Sequence, residues 1–292
     1  MEPRKLIKRA RSCDADSVCD HKNIMTDFAI PADDFMKKRL LTRPMIIDPW
    51  LRQGVLTLLY AKTGLGKTWF SLAIAVAATR GVPIGEWKTI NPVGCLYLDG
   101  EMACDVFQSR LQQLTKGLPP ENENAPLLVK SSAEMRSRKE QAIDIGDKKC
   151  RNNIYHQLKQ NRLIRLLIID NLSCLASGIC DSSARDWIDI QKWLYSLSDI
   201  GVAVIVVHHT GKNGEQMGTS TRGRCMDFCI KLTEVKEYNR KVGATFNVIF
   251  DKARIIREEY VPSFKMKIVD GGEGKLPWET NKHQIYRIEP LF

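Results

Sequence analysis

The chain has 292 residues, nine cysteines and a formal net charge of +10, enough length for one large domain with extensions. Apolar runs such as Val202–Val207 are far too short to cross a bilayer, and the basic N-terminus has no apolar stretch of the kind a secretory signal needs. The cysteines form no C-x-x-C pair, which favours reduced thiols over a disulfide scaffold. We therefore expect a cytoplasmic protein without a membrane partner.

The first 42 residues differ in character from the rest. They are polar and basic, with no sustained period, so residues 1–42 are expected to be a partly disordered tail with one helix around Ala32–Leu41. The pattern becomes regular near Met45, and the folded domain is expected to occupy residues 43–292. The excess of Lys and Arg favours polyanionic partners.

Short apolar runs and helical patterns then alternate along the chain. Residues 68–81 predict a helix that ends at Gly81, and residues 186–201 predict another with Trp187, Ile190, Leu194 and Leu197 on one face. The charged segment 131–152 shows no apolar period and is expected to be an exposed loop or lid. Buried strands are predicted at Val55–Tyr60, Val93–Glu101, Pro126–Val129, Leu163–Asn171 and Val202–His209.

The C-terminal third has a different pattern. Residues 227–235, 245–254 and 264–272 alternate between apolar and polar positions, as antiparallel strands do. The predicted fold is therefore α/β: a mostly parallel sheet flanked by helices, with antiparallel strands towards the C-terminus. In such a fold the ligand site lies at the carboxyl ends of the parallel strands.

A phosphate-binding motif lies between the first strand and the first helix of this pattern. Gly64 and Gly66 let backbone N–H groups turn inward around phosphates, Lys67 can reach the β- and γ-phosphates, and the Thr68 hydroxyl can ligate Mg²⁺. A chance match in a lysine-rich turn is the alternative, but the strand–helix context favours a P-loop that binds ATP. The motif A-x-x-x-x-G-K-T comprises Ala61, Lys62, Thr63, Gly64, Leu65, Gly66, Lys67 and Thr68.

Acids and histidines end the neighbouring strands. Asp170 can hold Mg²⁺ through water, although an acid that merely caps the strand is the alternative. Glu101 is preferred over Asp99 as the acceptor of the proton from an attacking water, because it lies two residues further out. The pair His208 and His209 suits γ-phosphate sensing, a purely structural role being the alternative; a zinc site is disfavoured because no ligand cluster accompanies the pair.

Four motifs together carry a family resemblance: AKTGLGKTWFSLAIA, CLYLDGEM, LLIIDNLSCL and VIVVHHTGK. The segment 43–270 resembles the RecA-like ATPases of the plasmid RepA hexameric helicase type, which also occur in phage and plasmid primase–helicases. The resemblance implies a RecA-like core that hydrolyses Mg²⁺-ATP and a ring, such as a hexamer, around DNA. It also makes Glu101 the catalytic glutamate, Asp170 the Mg²⁺-water acid, and His209, with His208, the sensor.

The resemblance also points to cations outside the P-loop. Lys252 and Arg254 resemble the K-x-R element that reaches a neighbouring subunit's ATP, with Arg254 preferred and Arg222, Arg224 and Lys231 as rivals. The loop after the histidines is expected to face the channel of the ring. Its cations Lys212, Arg222 and Arg224 could follow a phosphate backbone, a solvated charged loop being the alternative.

These observations predict an oligomeric, replicative-type DNA helicase of a plasmid, phage or other mobile element. The alternative is a nucleotide-switched DNA-binding or regulatory ATPase that does not unwind DNA. The expected partners are ATP, single-stranded DNA, further copies of the chain, and a replication or loader protein. Residues 1–40 match no motif of the family, and Ala61 stands where glycine is usual.

Overall fold

The computed structural model describes residues 29–40, 42–176, 184–209, 221–235, 244–257 and 260–282. The chain divides into two units, Met1–Thr42 and Arg43–Phe292. The first unit contains helix α1 (Ala32–Lys37), none of whose residues is buried. The expected disorder of the N-terminal tail falls on residues outside the described ranges. None of the described helices is long and apolar enough to cross a membrane.

The second unit is built on a large mixed sheet. Strands β1 (Met45–Asp48), β2 (Leu51–Arg52) and β4 (Lys88–Thr89) form a separate small antiparallel sheet. The parallel strands of the large sheet are β3 (Leu56–Ala61), β5 (Gly94–Asp99), β6 (Leu127–Ser131), β7 (Ile164–Asp170), β8 (Ala203–His209) and β9 (Phe228–Thr233). Three antiparallel strands extend it: β10 (Thr245–Ala253), β11 (Phe264–Ile268) and β12 (Trp278–Lys282).

The order of strands in this sheet is β12-β11-β10-β9-β3-β8-β7-β5-β6. The predicted α/β fold, with a mostly parallel sheet and C-terminal antiparallel strands, is confirmed. One detail differs from expectation: β9, predicted to be antiparallel, pairs in parallel with β3. The chain reverses direction after β9, and β10 pairs with β9 in antiparallel fashion.

Helices cover both faces of the sheet and bury a core on each. The first core packs α2 (Lys67–Arg80) and α3 (Cys104–Thr115) on one face. Eleven of the fourteen residues of α2 are buried, and most of these are small or aliphatic, so its backbone lies close to the strands. The second core packs α5 (Lys148–Gln160), α6 (Leu172–Leu175) and α7 (Ala184–Asp199) on the other face.

The expectation of an exposed loop or lid at residues 131–152 is wrong. The segment contains helix α4 (Ser132–Ser137) and the first turn of α5. Between them, Ile143 and Ile145 are buried in the second core. Two isolated apolar residues give no helical or strand period, so the sequence pattern does not reveal that this charged segment is anchored.

The turn that leads into α2 rests on the antiparallel part of the sheet. Gly66 precedes α2 with φ of 104°. A Cβ atom at this position would lie 2.8 Å from ring carbons of Phe246 on β10, and Phe246 is itself fully buried against Phe70 of α2. Phe246 on the antiparallel strand β10 therefore packs directly against the glycine-rich turn.

This contact predicts different costs for two glycine substitutions. Gly64→Ala should cost only the strain of a side chain at positive φ, about 1–2 kcal/mol, because its Cβ has no atom within 4 Å. Gly66→Ala carries the same strain and also overpacks Phe246, which should cost about 1–3 kcal/mol more. Urea unfolding of both variants without nucleotide measures the difference, and equal losses would contradict the contact.

Candidate functional site

Parallel register brings the ends of four neighbouring strands to one edge of the sheet. Ala61 at the end of β3 pairs with His209 at the end of β8. Asp99 at the end of β5 pairs with Asp170 at the end of β7. The residues predicted from separate motifs therefore lie along the same edge of the sheet, the carboxyl edge where ligands of α/β sheets bind.

The P-loop encloses the ammonium group of Lys67. Its Nζ donates to the carbonyl oxygens of Ala61 at 3.0 Å and Lys62 at 2.9 Å, and the residue is only 5% exposed. Burial lowers the pKa of Lys67 to about 8, although the nearby carboxylates of Asp170 and Glu101 raise it. The ammonium is thus held at the mouth of the turn by weak acceptors that a phosphate oxygen can replace.

Thr68 and Asp170 form a pair of oxygen ligands beside the P-loop. Their side chains are hydrogen-bonded to each other. Asp170 is 3% exposed and also accepts from the Tyr97 hydroxyl at 2.6 Å; that hydroxyl in turn lies 2.8 Å from Ser71 Oγ on α2. Burial raises the pKa of Asp170, and the hydrogen bonds from Tyr97 and Thr68 oppose that rise.

The two acids after β5 have different surroundings. Asp99 is 1% exposed; its carboxylate accepts from the backbone N–H of Met102 at 3.2 Å and from the Ser131 hydroxyl at 3.0 Å. These bonds fix the turn that carries Glu101. The Glu101 side chain is 52% exposed and lines the pocket beside the P-loop, where a carboxylate can meet a ligand.

The two histidines at the end of β8 have different surroundings. His208 is 1% exposed, and it is His209, the next residue, that lines the pocket. His209 Nδ1 lies 3.2 Å from Thr63 Oγ1 of the P-loop, and its Nε2 lies 3.7 Å from Glu101 Oε2. Only His209 of the pair reaches the site, because successive side chains of a strand point to opposite faces.

Asn171 and Arg110 are polar residues of the pocket that have no counterpart in the sequence predictions. Asn171, which follows Asp170, hydrogen-bonds to Glu101. Arg110 of α3 lies over the Trp69 ring at 4.9 Å; burial lowers its pKa, and the site's carboxylates raise it. Asn171 could have been noticed as the polar residue next to Asp170. Arg110 gives no local signal, since only the packing of α3 beside α2 brings it to the pocket.

The pocket so formed has a volume of about 400 Å³, within the range of small-molecule sites. Its residues fit a magnesium-bound nucleoside triphosphate. Gly64 leaves open space where a side chain would project, the first N–H groups of α2 have no acceptor within the helix, and the adjacent oxygens of Thr68 and Asp170 are the hard donors that Mg²⁺ prefers. Two other described pockets, of about 380 and 410 Å³, contain no P-loop residue.

Lys252 and Arg254 lie towards the opposite end of the sheet, whereas Lys231, one of the rivals to Arg254, pairs with Tyr60 beside the P-loop. Ala253 pairs with Phe228, which pairs with Thr57 near the start of β3. This is four residues before Ala61, or roughly 13 Å at about 3.3 Å per residue. Arg254 is therefore separated from the P-loop of its own chain, which begins at Ala61.

Lys252 and Arg254 hold the end of a short helix, α8 (Thr221–Arg224). Lys252 Nζ donates to the carbonyl oxygens of Gly223 at 2.7 Å and Met226 at 2.8 Å. Arg254 Nη2 donates to the Arg224 carbonyl at 2.6 Å. Arg222 belongs to α8 and Arg224 ends it with an exposed side chain, whereas Lys212 lies outside the described residues.

The comparisons with known proteins bear on this site. A search of curated proteins gives no match to the chain. The model of the AAA domain family matches residues 25–215, which is more than half of the chain and includes the P-loop and the strand-end acids and histidines. The chain therefore belongs to the AAA domain family, and its nucleotide site is that of an ATP-binding P-loop ATPase of the RecA-like kind.

Proposed function

We propose that the protein is a Mg²⁺-dependent ATPase motor that acts on DNA, as an oligomeric replicative-type helicase similar to the plasmid RepA type. One observation carries the ATPase activity: Lys67, the Thr68–Asp170 pair, Glu101 and His209 converge on a single pocket. Action on DNA is proposed from the resemblance of the sequence motifs. We further propose that residues 43–292 are the motor domain and residues 1–42 an appended tail.

The roles follow from the surroundings of each side chain. Lys67 binds the β- and γ-phosphates, and Thr68 and Asp170 hold Mg²⁺, which supplies charge neutralisation for the transferred phosphoryl group. Glu101 accepts a proton from the attacking water, since it is the exposed carboxylate of the pocket. Asp99 keeps the Glu101 turn in place through its backbone hydrogen bonds. His209 contacts the γ-phosphate, and Arg110, which also lines the pocket, adds positive charge.

This assignment predicts how three substitutions differ. Lys67→Ala should abolish hydrolysis and weaken ATP binding, because the charge on the phosphates loses its partner. Glu101→Gln should bind ATP normally but hydrolyse it at least ~100-fold more slowly, because the amide keeps the shape and loses the base. Asp99→Asn should chiefly lower stability. Nucleotide titration, phosphate release and thermal melting separate these effects.

If Asp99→Asn instead proved the slower enzyme at normal stability, the two acids would have to exchange roles. Near-normal ATP turnover of Lys67→Ala would show that the proposed phosphate site is wrong.

DNA action is tested by strand displacement. The protein should unwind a forked duplex in the presence of Mg²⁺-ATP, and Lys67→Ala should not. Changing Lys212, Arg222 and Arg224 together to Ala should weaken single-stranded DNA binding and flatten its salt dependence, because fewer counterions are released. ATP hydrolysis without DNA should persist in that variant. If the affinity for single-stranded DNA and its salt dependence were unchanged, DNA would have to bind at other residues.

The alternative function is a nucleotide-switched DNA-binding or regulatory ATPase. The pocket suits it equally, because a switch and a motor both need ATP binding and hydrolysis. ATP-dependent DNA binding without strand displacement, on forks of either polarity, would favour this alternative.

We propose that Arg254 acts on the ATP of a neighbouring subunit. The register places it well away from the P-loop of its own chain, so Arg254 is poorly placed to contact the ATP bound by its own subunit. Arg254 suits the role better than Lys252, because the Lys252 ammonium is already surrounded by backbone carbonyls, whereas Arg254 is exposed and its guanidinium can donate to several oxygens.

The trans role predicts complementation between inactive variants. Arg254→Ala should bind ATP but hydrolyse it ~10³-fold more slowly, the order of an arginine finger's contribution. Mixing it with Lys67→Ala should restore part of the activity, because some interfaces then pair an intact P-loop with an intact Arg254. Native mass spectrometry confirms subunit exchange, and Lys252→Met is the matched control for disturbance of α8. An exchanged mixture that stays inactive contradicts action in trans.

A further inference from the structure

Asn171 occupies the centre of a hydrogen-bonded chain in the nucleotide pocket. It follows Asp170 directly and is 1% exposed. Its Nδ2 donates to Glu101 Oε2 at 2.5 Å and lies 3.0 Å from His209 Nε2. Among the described side chains, it is the one that donates a hydrogen bond to the Glu101 carboxylate.

The orientation of the Asn171 amide is fixed by its other end. Asn171 Oδ1 accepts from the backbone N–H of Cys174 at 3.0 Å and so caps the short helix α6. With the oxygen engaged there, both N–H groups of Nδ2 are directed towards Glu101 and His209. The short contact to His209 then requires an accepting Nε2, which places the imidazole proton on Nδ1.

That tautomer extends the chain to the P-loop. A proton on His209 Nδ1 can be donated to Thr63 Oγ1, 3.2 Å away. Glu101, Asn171, His209 and Thr63 thus form one continuous series, in which each member sets the direction of the next. The series joins four separate elements: the turn after β5, the residue that follows β7, the end of β8 and the P-loop after β3.

Glu101 needs such a partner more than the other acids of the site. Its side chain is 52% exposed and lies beyond the end of its strand, so packing alone does not select one rotamer. A general base must lie within hydrogen-bond reach of the water it deprotonates. A hydrogen bond from a neutral, buried amide orients the carboxylate without supplying a proton that would neutralise it.

We propose that Asn171 is a positioning residue for ATP hydrolysis: it orients the Glu101 carboxylate and links that carboxylate to His209. A ligand in the nucleotide pocket that moves His209 then also moves Glu101. The inference rests on the proposed role of Glu101 as the general base, and it adds a means of controlling when that base is aligned.

Two neutral substitutions separate positioning from capping. Asn171→Ser keeps an oxygen that can cap α6 but loses the Nδ2 amide that contacts both Glu101 and His209, and its single, shorter hydroxyl cannot replace both contacts; Asn171→Ala loses the cap as well. We expect kcat to fall about 10- to 100-fold in both variants, the order that a small misplacement of a catalytic group costs. KM for ATP should stay near the wild-type value in both. Only Asn171→Ala should lower the melting temperature.

If Asn171→Ser hydrolyses ATP at the wild-type rate while Asn171→Ala is slow, the residue acts only as a helix cap and the inference is wrong. Asn171→Thr gives the same comparison with a second hydroxyl, should the serine variant fail to fold. A rise in KM with kcat unchanged in these variants would also overturn the inference, because it would assign Asn171 to ATP binding.

A double-mutant cycle shows through which residue Asn171 acts. In a Glu101→Gln background, Asn171→Ser should cause no further loss of the residual turnover, because the group that it positions is already gone. A further 10-fold loss in that background would mean that Asn171 acts independently of Glu101. The Glu101→Gln variant alone separates a failure of the proposed function from a failure of the inference about Asn171. If Glu101→Gln retains full turnover, the proposed role of Glu101 as general base is wrong. If Glu101→Gln is inactive and Asn171→Ser is normal, only the inference about Asn171 is wrong.

Discussion

Strand register is the constraint on which the nucleotide site depends. The pairings of Ala61 with His209 and of Asp99 with Asp170 bring side chains from four strands to one edge of the sheet. A slip of one residue in β8 would point His208 into the pocket and bury His209, because side chains alternate along a strand. The pairing of the apolar strands, far from any ligand, therefore decides which of the two histidines can meet a phosphate.

The charges collected at this edge depend on one another. Burial raises the pKa of Asp99 and Asp170 and lowers that of Lys67, so in each case it disfavours the charged form. The attraction between Lys67 and Asp170 opposes that tendency, and hydroxyl donors from Thr68 and Tyr97 stabilise the carboxylate. A buried charge is tolerable only with such partners, and these partners come from α2 and β5, which packing already holds in place.

The sequence predicts those parts of the protein that local chemistry determines. The P-loop, the acid-tipped strands and the apolar face of α7 each give a signal within a few residues, and the structure places them as expected. Arg110 and the anchored segment around Ile145 gave no such signal, because their positions depend on contacts between distant elements. Asp99 and Glu101 show the same limit: two residues separate them, and only the Ser131 and Met102 contacts reveal that Asp99 fixes the turn.

The two ends of the sheet are connected through the chain itself. β8 ends with His209 in the nucleotide pocket, and the segment that follows leads to α8, at the start of β9. The last carbonyls of α8 are held by Lys252 near the end of β10 and by Arg254, which follows that strand. At the other end of β10, Phe246 packs against Gly66 of the P-loop. One strand thus contacts the glycine-rich turn and leads directly into Arg254, the residue proposed to reach a neighbour. Its nine residues would span roughly 30 Å at about 3.3 Å per residue. Such a rigid element suits a motor, because a shift at either end must be accommodated at the other.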